Sequence, residues 1–326
     1  MTEPDDGLLY LSREAALAAG LTPAEGIAAI ERVFAAHHEG RVTVGPKARV
    51  PVAEGHFFQA MPGMVDSPAY AGMKWFSVVP ENPARGLPNV SGLIVLADVA
   101  TGQTAAIVDA VEVTALRTAA MTAAAAKRLA PRDAETAAFI GCGAQARSHA
   151  AYLREIRPGL RRAVLLGRGK ASRDAFARHL RDAGWEVRIA TDGDDVLKDA
   201  RIAVSTVPEY PGWRAFLDAR LLMPGAFAAA VDLGRSWMPE SRGAFDLVAT
   251  DDAEQSRALV DDGKLKAPRE FDADLAALAS GAHPGRRKTD ERVLFVFAGH
   301  VLGDLAVAAA IYRRALAKGL GIRLPR

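Results

Sequence analysis

Ala137-Ala138-Phe139-Ile140-Gly141-Cys142-Gly143-Ala144-Gln145-Ala146 reads as a buried strand, a tight glycine turn and the start of a helix. Gly141 permits the turn, Gly143 lets the backbone approach a pyrophosphate, and Ala146 is small enough for close helix–strand packing. The backbone N–H groups at the start of the helix then face the anion. The predicted cofactor-binding residues of this turn are Gly141, Gly143, Ala144 and Gln145.

The surroundings of the turn strengthen this interpretation, because a glycine motif alone is a weak signal. Apolar strands alternate with helical stretches after it, which is typical of a parallel sheet covered on both faces. The predicted strands are 134–140, 162–166, 186–190, 202–206, 226–231 and 247–249, and the predicted helices are 144–156 and 171–183. Residues 290–318 are predicted to form a final apolar, helical stretch. The expected fold class is α/β, with a Rossmann-type doubly wound parallel sheet.

The first part of the chain has a different character. Residues 12–39 read as two helices, with Ser12 and Thr22 as capping residues. Residues 41–99 contain short apolar runs separated by Gly and Pro turns, which indicates strands. An alanine-rich helix over 113–129 ends before Pro131.

Composition excludes several functional classes. The 326 residues contain 41 Lys and Arg against 39 Asp and Glu, so no large net charge attracts nucleic acid. Cys142 is the single cysteine, which rules out a disulfide within the chain. We see no secretory signal and no run of ~18 apolar residues that would span a membrane. A cytoplasmic protein without a metal site is expected.

The end of the second predicted strand bears on the choice of cofactor. An acid at this position binds the ribose of NAD, but no Asp or Glu lies between Ile156 and Arg173. Arg168 and Lys170 can instead meet a 2′-phosphate, which favours NADPH over NADH; the alternative is that both are solvated loop cations. Thr206 and Val207, at the end of the strand over 202–206, are further cofactor-binding candidates.

Two ionisable residues in apolar strands are catalytic candidates. Lys74 lies in Gly72-Met73-Lys74-Trp75-Phe76, and a desolvated lysine loses its proton more readily, which suits acid–base work on an imine. The alternative is a lysine at the strand edge that reaches water. Asp232 follows a buried strand at its carboxyl end, where ligands bind in open parallel sheets. Its alternative role is to cap a following helix.

Arg49 and Arg117 are candidates for binding a substrate carboxylate. A guanidinium group binds a carboxylate bidentately, and an amino acid or imino acid offers such a group. Surface ion pairs are the alternative for each arginine.

Three stretches carry a resemblance to the ornithine cyclodeaminase/mu-crystallin family. They are GMKWFSVVPENPARGLPNVSGLIVLADVATG (72–102), DAVEVTALRTAAMTAAAAKRLAP (109–131) and AAFIGCGAQARSHA (137–150). The resemblance implies a homodimer with the Rossmann-type domain inserted into a second α+β substrate-binding and dimerisation domain. The expected bounds are 1–118 plus 305–326 for the substrate domain and 119–304 for the dinucleotide-binding domain.

The resemblance also implies residue roles. Arg49 and Arg117 match the family's carboxylate-binding arginines, Lys74 the lysine at the reacting centre and Asp232 the catalytic acid. Arg168 matches the arginine at the end of the second strand of the dinucleotide-binding domain in members that use NADPH. The positions near the cofactor also include Ser91 and Thr118.

Departures from the family pattern concern the substrate. Members that deaminate ornithine carry a glutamate two residues before the Met-Pro pair, and here Gln59 precedes Met61-Pro62. An amide does not compensate the charge of a buried ammonium, which argues against ornithine. Phe297 replaces a serine that members often place beside the nicotinamide. His300 is a candidate for an additional proton donor or a partner of the substrate carboxylate. The alternative is that His300 has only a structural role. Pocket candidates are Gln59, Met61, Asn89 and His300, together with His56.

The expected activity is the NAD(P)H-dependent reduction of a small-molecule 2-imino or 2-keto acid to an amino acid. Arg49 and Arg117 clamp the carboxylate, Lys74 polarises the substrate or passes a proton to it, and Asp232 balances charge or orients the amine or water. One alternative is an amino-acid cyclodeaminase that recycles its NAD within each turnover. A second alternative is a non-catalytic protein that binds NADPH or another ligand.

Overall fold

The computed structural model describes residues 7–208, 212–268 and 270–325. The α-helices in these residues are α1 (Arg13–Ala19), α2 (Pro23–His38), α3 (Ala110–Leu129), α4 (Ala144–Ile156), α5 (Lys170–Asp182), α6 (Gly193–Leu197), α7 (Ala253–Asp261), α8 (Leu275–Ser280) and α9 (Val301–Lys318). Short 3-10 helices lie at Asn82–Arg85, Ala219–Leu221 and Pro239–Ala244. The strands are β1 (Gly7–Leu11), β2 (Thr43–Val44), β3 (Ala48–Ala53), β4 (His56–Asp66), β5 (Ala69–Val78), β6 (Val90–Asp98), β7 (Thr104–Asp109), β8 (Thr136–Ile140), β9 (Arg162–Leu166), β10 (Glu186–Ile189), β11 (Ile202–Ser205), β12 (Phe227–Ala230), β13 (Leu247–Thr250), β14 (Ala273–Asp274), β15 (Val293–Val296) and β16 (Ile322–Pro325).

The chain divides into two compact units. The first contains the described residues up to Arg117 together with those from His300 onward, and the second is Thr118–Gly299. The sequence placed the second break after residue 304. The break comes earlier because His300 is the N-cap of α9, so that the whole helix belongs to the first unit.

The first unit is built on a mostly antiparallel sheet. Its strand order is β16-β1-β7-β6-β5-β4-β2, and β3 pairs with β4. Helix α9 packs against β4, β5 and β6. The two predicted N-terminal helices are confirmed, with Ser12 capping α1 and with Thr22 and Glu25 forming a capping box on α2. Such caps satisfy backbone N–H groups that have no partner inside the helix.

Alternation along the central strands gives this sheet two different faces. Met61, Lys74 and Ile94 lie opposite one another on β4, β5 and β6, and all three are buried. Trp75 and Leu93 form the adjacent pair on β5 and β6, and each is 41% exposed. Successive side chains of a strand point to opposite faces, so the face with Lys74 is buried and the face with Trp75 is open and apolar.

The second unit is built on a parallel sheet of Rossmann type, as predicted. Its strand order is β10-β9-β8-β11-β12-β15-β13-β14, and every pair is parallel. Each residue of β8, β11, β12, β13 and β15 is buried, which explains their predominantly apolar sequences. The direction of winding reverses between β8 and β11, and ligands bind at such a switch point in open α/β sheets.

One prediction about the second unit is wrong. Residues 290–318 were expected to be helical, but Val293–Val296 is strand β15, which lies between β12 and β13. Four consecutive apolar residues have no period that separates a buried strand from a buried helix.

None of the helices in the described part of the chain combines the length and the apolar character needed to cross a bilayer.

Candidate functional site

The glycine turn follows β8 and is tied to the neighbouring strands. The N–H of Gly141 donates to the carbonyl of Leu166 at 2.8 Å, and the N–H of Thr206 donates to the carbonyl of Ile140 at 2.8 Å. Gly141 has φ +95°, and a Cβ added there would lie 2.6 Å from Thr206 Oγ1. Both the backbone conformation and the close contact therefore require glycine at position 141.

Gly143 is different, because the protein itself does not require glycine there. Its φ of −91° suits any residue, and no described atom lies within 4 Å of a Cβ added to it. Gly143 is the N-cap of α4, and no side chain caps this helix end. The space in front of the helix N-terminus fits a phosphate group, for which the N–H groups and the helix dipole are suited.

The other residues predicted to bind the cofactor lie at several positions. Arg168 and Lys170 are exposed after β9, where Lys170 Nζ is 3.3 Å from the carboxylate of Asp174. Thr206 and Val207 directly follow β11, at the switch point. Within the second unit Thr118 is buried on α3, and the Oε1 of Gln145 is buried with no hydrogen-bond partner in the described chain. In the first unit Ser91 pairs with Ser77 on β5, on the face opposite Lys74.

Asp232 is a buried carboxylate two residues after β12. Its Oδ1 accepts a hydrogen bond from Ser205 Oγ at 3.0 Å, and its Oδ2 accepts one from Ser236 Oγ. Burial raises the pKa of Asp232 to about 6, although both hydroxyl groups oppose this shift. Residues 231–236 form a turn, so the alternative that Asp232 caps a helix is wrong.

Lys74 lies on the buried face of β5. Its side chain is 4% exposed, and its Nζ donates to Thr114 Oγ1 at 2.7 Å and to Asp304 Oδ1 at 3.2 Å. The alternative that this lysine reaches water is therefore wrong. Burial lowers the pKa of Lys74 to about 8, Asp304 opposes this shift, and the charge of Arg117 adds to it. A proton donor with such a pKa suits acid–base chemistry near neutral pH.

Asp304 is a member of this site that the sequence reasoning missed. The same Oδ1 also accepts a hydrogen bond from Arg117 Nε at 3.0 Å, while Oδ2 is buried and accepts none from any residue that the structure describes. Burial opposes ionisation of Asp304, but Arg117 and Lys74 hold its pKa below the usual range. The available signal was an acid inside the otherwise apolar stretch His300-Val301-Leu302-Gly303-Asp304-Leu305-Ala306.

The two candidate arginines differ in their surroundings. Arg117 is 7% exposed, so the alternative that this arginine forms a surface ion pair is wrong. Arg49 is exposed on β3, and its guanidinium carbon lies 3.6 Å from the centre of the Phe57 ring. In the register of the sheet, Arg49 lies opposite Gln59 on β4, and Gln59 lies opposite Phe76 on β5. Since Phe76 is two residues from Lys74, these side chains share one face of the sheet.

The remaining pocket candidates lie in the first unit. Met61 is buried opposite Lys74, whereas His56 is half-buried beside Phe58. Asn89 is half-buried, and its Oδ1 has no hydrogen-bond partner among the residues described. His300 is buried, and its Nδ1 accepts the N–H of Leu302 at 3.2 Å, so this ring nitrogen has a structural role as the cap of α9.

Phe297 and Arg235 lie in the second unit. Phe297 is buried, and its ring centre is 4.9 Å from that of Phe295. The N–H of Arg235 donates to the carbonyl of Asp232 at 3.2 Å, so Arg235 belongs to the turn that holds this acid.

The fold and the glycine turn together define a class. The second unit is a Rossmann-type dinucleotide-binding fold, and the first unit holds a buried cluster of Lys74, Asp304 and Arg117. The model of the ornithine cyclodeaminase/mu-crystallin family matches residues 14–319. The chain belongs to this family.

Individual relatives agree with this assignment. A Delta(1)-pyrroline-2-carboxylate reductase of Bacillus cereus is 28% identical over 81% of this chain and 83% of its own length. An alanine dehydrogenase of Archaeoglobus fulgidus is 28% identical over 92% of this chain and 93% of its own length. The solved structure of an archaeal alanine dehydrogenase dimer with bound NAD is 26% identical, with a TM-score of 0.86, and the match covers 98% of this chain and 99% of that one.

The raised pKa of Asp232 predicts a pH-dependent stability. Because the folded-state pKa of this acid is raised, its stabilising contribution is complete below the unfolded pKa and is lost as pH rises through about 6. We expect Asp232→Asn to gain up to about 3 kcal/mol in free energy of unfolding, relative to the unsubstituted protein, between pH 4 and pH 8. Denaturant unfolding at several pH values measures this difference.

Asp98→Asn is the matched control for this experiment. Hydrogen bonds from Thr101 lower the pKa of Asp98, so the advantage of the unsubstituted protein over this variant grows as pH rises. A difference between the Asp232→Asn variant and the unsubstituted protein that does not change with pH would contradict the raised pKa.

Proposed function

We propose that the chain is an NAD(P)H-dependent oxidoreductase that reduces a 2-imino or 2-keto acid to an amino acid. The observation that carries the proposal is the buried cluster in which Lys74 and Arg117 share Asp304. An anion-binding guanidinium beside a lysine with a lowered pKa suits a substrate that has both a carboxylate and a carbon–nitrogen double bond. The B. cereus and A. fulgidus relatives support it, because their names describe a pyrroline-carboxylate reductase and an alanine dehydrogenase.

The residues of the first unit bind the substrate and move a proton in this proposal. Arg117, with Arg49, binds the carboxylate. Lys74 carries a proton at neutral pH and, with a pKa of about 8, gives it readily to the substrate nitrogen. When bound, the reduced nicotinamide supplies a hydride to the α-carbon, so that one hydride and one proton convert the imine to the amine. A 2-keto acid requires ammonia to form the imine first.

The residues of the second unit hold the cofactor and a second acid. The turn at Gly141, Gly143, Ala144 and Gln145 binds the pyrophosphate, with Thr206 and Val207 beside it. Arg168 and Lys170 give a preference for NADPH, because no Asp or Glu lies between Ile156 and Arg173, where an acid at the end of β9 would bind a ribose hydroxyl. Asp232 balances positive charge, and Ser91 and Thr118 are further proposed cofactor contacts.

The apolar face of the first unit is proposed as a homodimer interface. Val50 on β3 pairs with Phe58 on β4, and the Phe58 ring stacks on Trp75 with ring centres 5.9 Å apart. Trp75 pairs with Leu93 in turn, so four strands present a continuous apolar row. An exposed apolar patch of this kind marks an interaction surface, and the solved archaeal relative is a dimer.

The activity is tested with a panel of cyclic imines and 2-keto acids plus ammonia, each with NADPH and NADH. Absorbance of the reduced nicotinamide should fall steadily with at least one substrate, and Lys74→Met should lower kcat by roughly a hundredfold or more because the proton donor is lost. Lys127→Met, an exposed lysine on α3, should retain activity.

The other outcomes of this panel identify other functions. Release of ammonia from a diamino acid with no net change in absorbance would assign the chain as a cyclodeaminase. Binding of NADPH without turnover of any substrate would assign it as a ligand-binding protein. Full activity of Lys74→Met would contradict the role of this lysine.

Gly143→Val tests the dinucleotide site with little effect on the fold. The Cβ of the added side chain enters space that the protein leaves open, so the melting temperature should fall by no more than a few degrees, the cost of a less favourable N-cap. The Kd for NADPH, measured by calorimetry, should rise at least about tenfold because the pyrophosphate can no longer approach the backbone. Gly243→Val is the control, since a Cβ at Gly243 also meets open space. An equal Kd for NADPH in the two variants would contradict the proposed position of the pyrophosphate.

Trp75→Arg tests the proposed interface. A charge buried in an apolar dimer interface has no partner, so the variant should elute as a monomer while the unsubstituted protein elutes as a dimer. Light scattering after size-exclusion chromatography measures the mass. Leu17→Arg, on the exposed side of α1, should leave the mass unchanged. A monomeric unsubstituted protein would refute the interface.

A further inference from the structure

We infer that Asp304 is a positioning residue: its single oxygen Oδ1 holds the amino group of Lys74 and the guanidinium of Arg117 together for one substrate carboxylate. The identity of the substrate rests on the proposed function, whereas the contacts of Asp304 rest on geometry alone. Asp304 Oδ1 is 3.2 Å from Lys74 Nζ and 3.0 Å from Arg117 Nε, and its side chain is fully buried.

The shared oxygen fixes two flexible side chains from different elements. Lys74 comes from β5, Arg117 from α3 and Asp304 from α9, so the three meet only through the tertiary fold. Lysine and arginine side chains lose considerable rotamer entropy when they are held in one position. A common buried acceptor fixes both before substrate arrives, which reduces the ordering needed during binding.

The charges of the cluster match one carboxylate. Two cations and one anion leave a single net positive charge when Lys74 is protonated, and a substrate carboxylate neutralises it. Asp304 lies in the first turn of α9, where the helix dipole favours an anion. This arrangement keeps Asp304 ionised, so the carboxyl group acts as a fixed counter-ion and exchanges no proton with the substrate.

The other groups around Lys74 determine what the loss of Asp304 would do. Arg117 on α3 and Lys47 before β3 both act on Lys74 as like charges, and Thr114 on α3 accepts a hydrogen bond from it. Asp304 is the anion that opposes these cations. Without its charge, Lys74 faces two cations and should lose its proton at a lower pH.

The experiment compares Asp304→Asn with the unsubstituted protein. Lysine labelled with ¹³C at Cε reports the titration of Lys74 by NMR, and the signal is assigned by its absence in Lys74→Met. The midpoint should fall by at least about one pH unit in Asp304→Asn. The KM for the imino or keto acid should rise about tenfold or more, while the KM for the dinucleotide stays within about twofold.

Glu112→Gln is the matched control. Glu112 is another buried acid of the first unit, paired with Arg13 at 3.7 Å, and it is not among the charges that act on Lys74. This variant also loses a buried carboxylate but should leave the Lys74 midpoint unchanged. A purely structural role for Asp304 would lower the melting temperature of Asp304→Asn and leave its substrate KM unchanged, and either this result or an equal midpoint shift in Glu112→Gln would overturn the inference.

Asp304→Glu is the second variant, used also if Asp304→Asn does not fold. It keeps the negative charge but moves the carboxylate by one methylene group. The Lys74 midpoint should return to within about half a pH unit of its original value, while the substrate KM stays raised about tenfold. An unchanged KM would overturn the positioning role. Because the titration needs neither substrate nor turnover, it tests the pairing of Lys74 with Asp304 even if the proposed reaction is wrong, whereas the substrate KM tests the positioning role.

Discussion

The burial of the Lys74 amino group is the constraint on which the first unit depends. A buried ammonium without a partner costs several kcal/mol, so the chain must bring an anion and further acceptors to it. The anion is Asp304 on α9, and the hydroxyl group is that of Thr114 on α3. The C-terminal helix must therefore pack on a sheet made from residues near the N-terminus. Pairing of β16 with β1 closes the same unit at its edge. The pairing of Lys74 with Asp304 is thus one of the contacts that join both ends of the chain in one unit.

In the second unit, the two glycines of the turn separate the requirements of the fold from those of the ligand. Gly141 is required by its own positive φ and by the contact with Thr206. Gly143 meets neither condition, so the fold alone would accept a larger residue there. Glycine at this position leaves room for the phosphate that the proposed function places at the N-terminus of α4.

Local patterns predicted the fold well, whereas contacts distant in sequence were predicted poorly. The strand–turn–helix around Gly141 and the capping box at Thr22 are decided within about ten residues, and both were read correctly. Lys74 and Asp304 lie 230 positions apart in the sequence, and the periodicity of apolar residues along the chain cannot predict a contact between them. For the same reason the sequence left open whether Lys74 is buried. Strand β15 was missed because its four apolar residues could equally continue into α9.

Burial moves the pKa values of two groups toward neutrality from opposite directions. Asp232 rises to about 6 and Lys74 falls to about 8, and desolvation is the main cause in both cases. Between these values Asp232 is mostly ionised and Lys74 is mostly protonated. Environments that shift two titratable groups in this way are typical of acid–base assignments in enzymes. The free energy lost by burying both groups is a cost to folding, and the same burial makes their protons transferable near neutral pH. Such shifts agree with the acid–base roles proposed for Lys74 and Asp232.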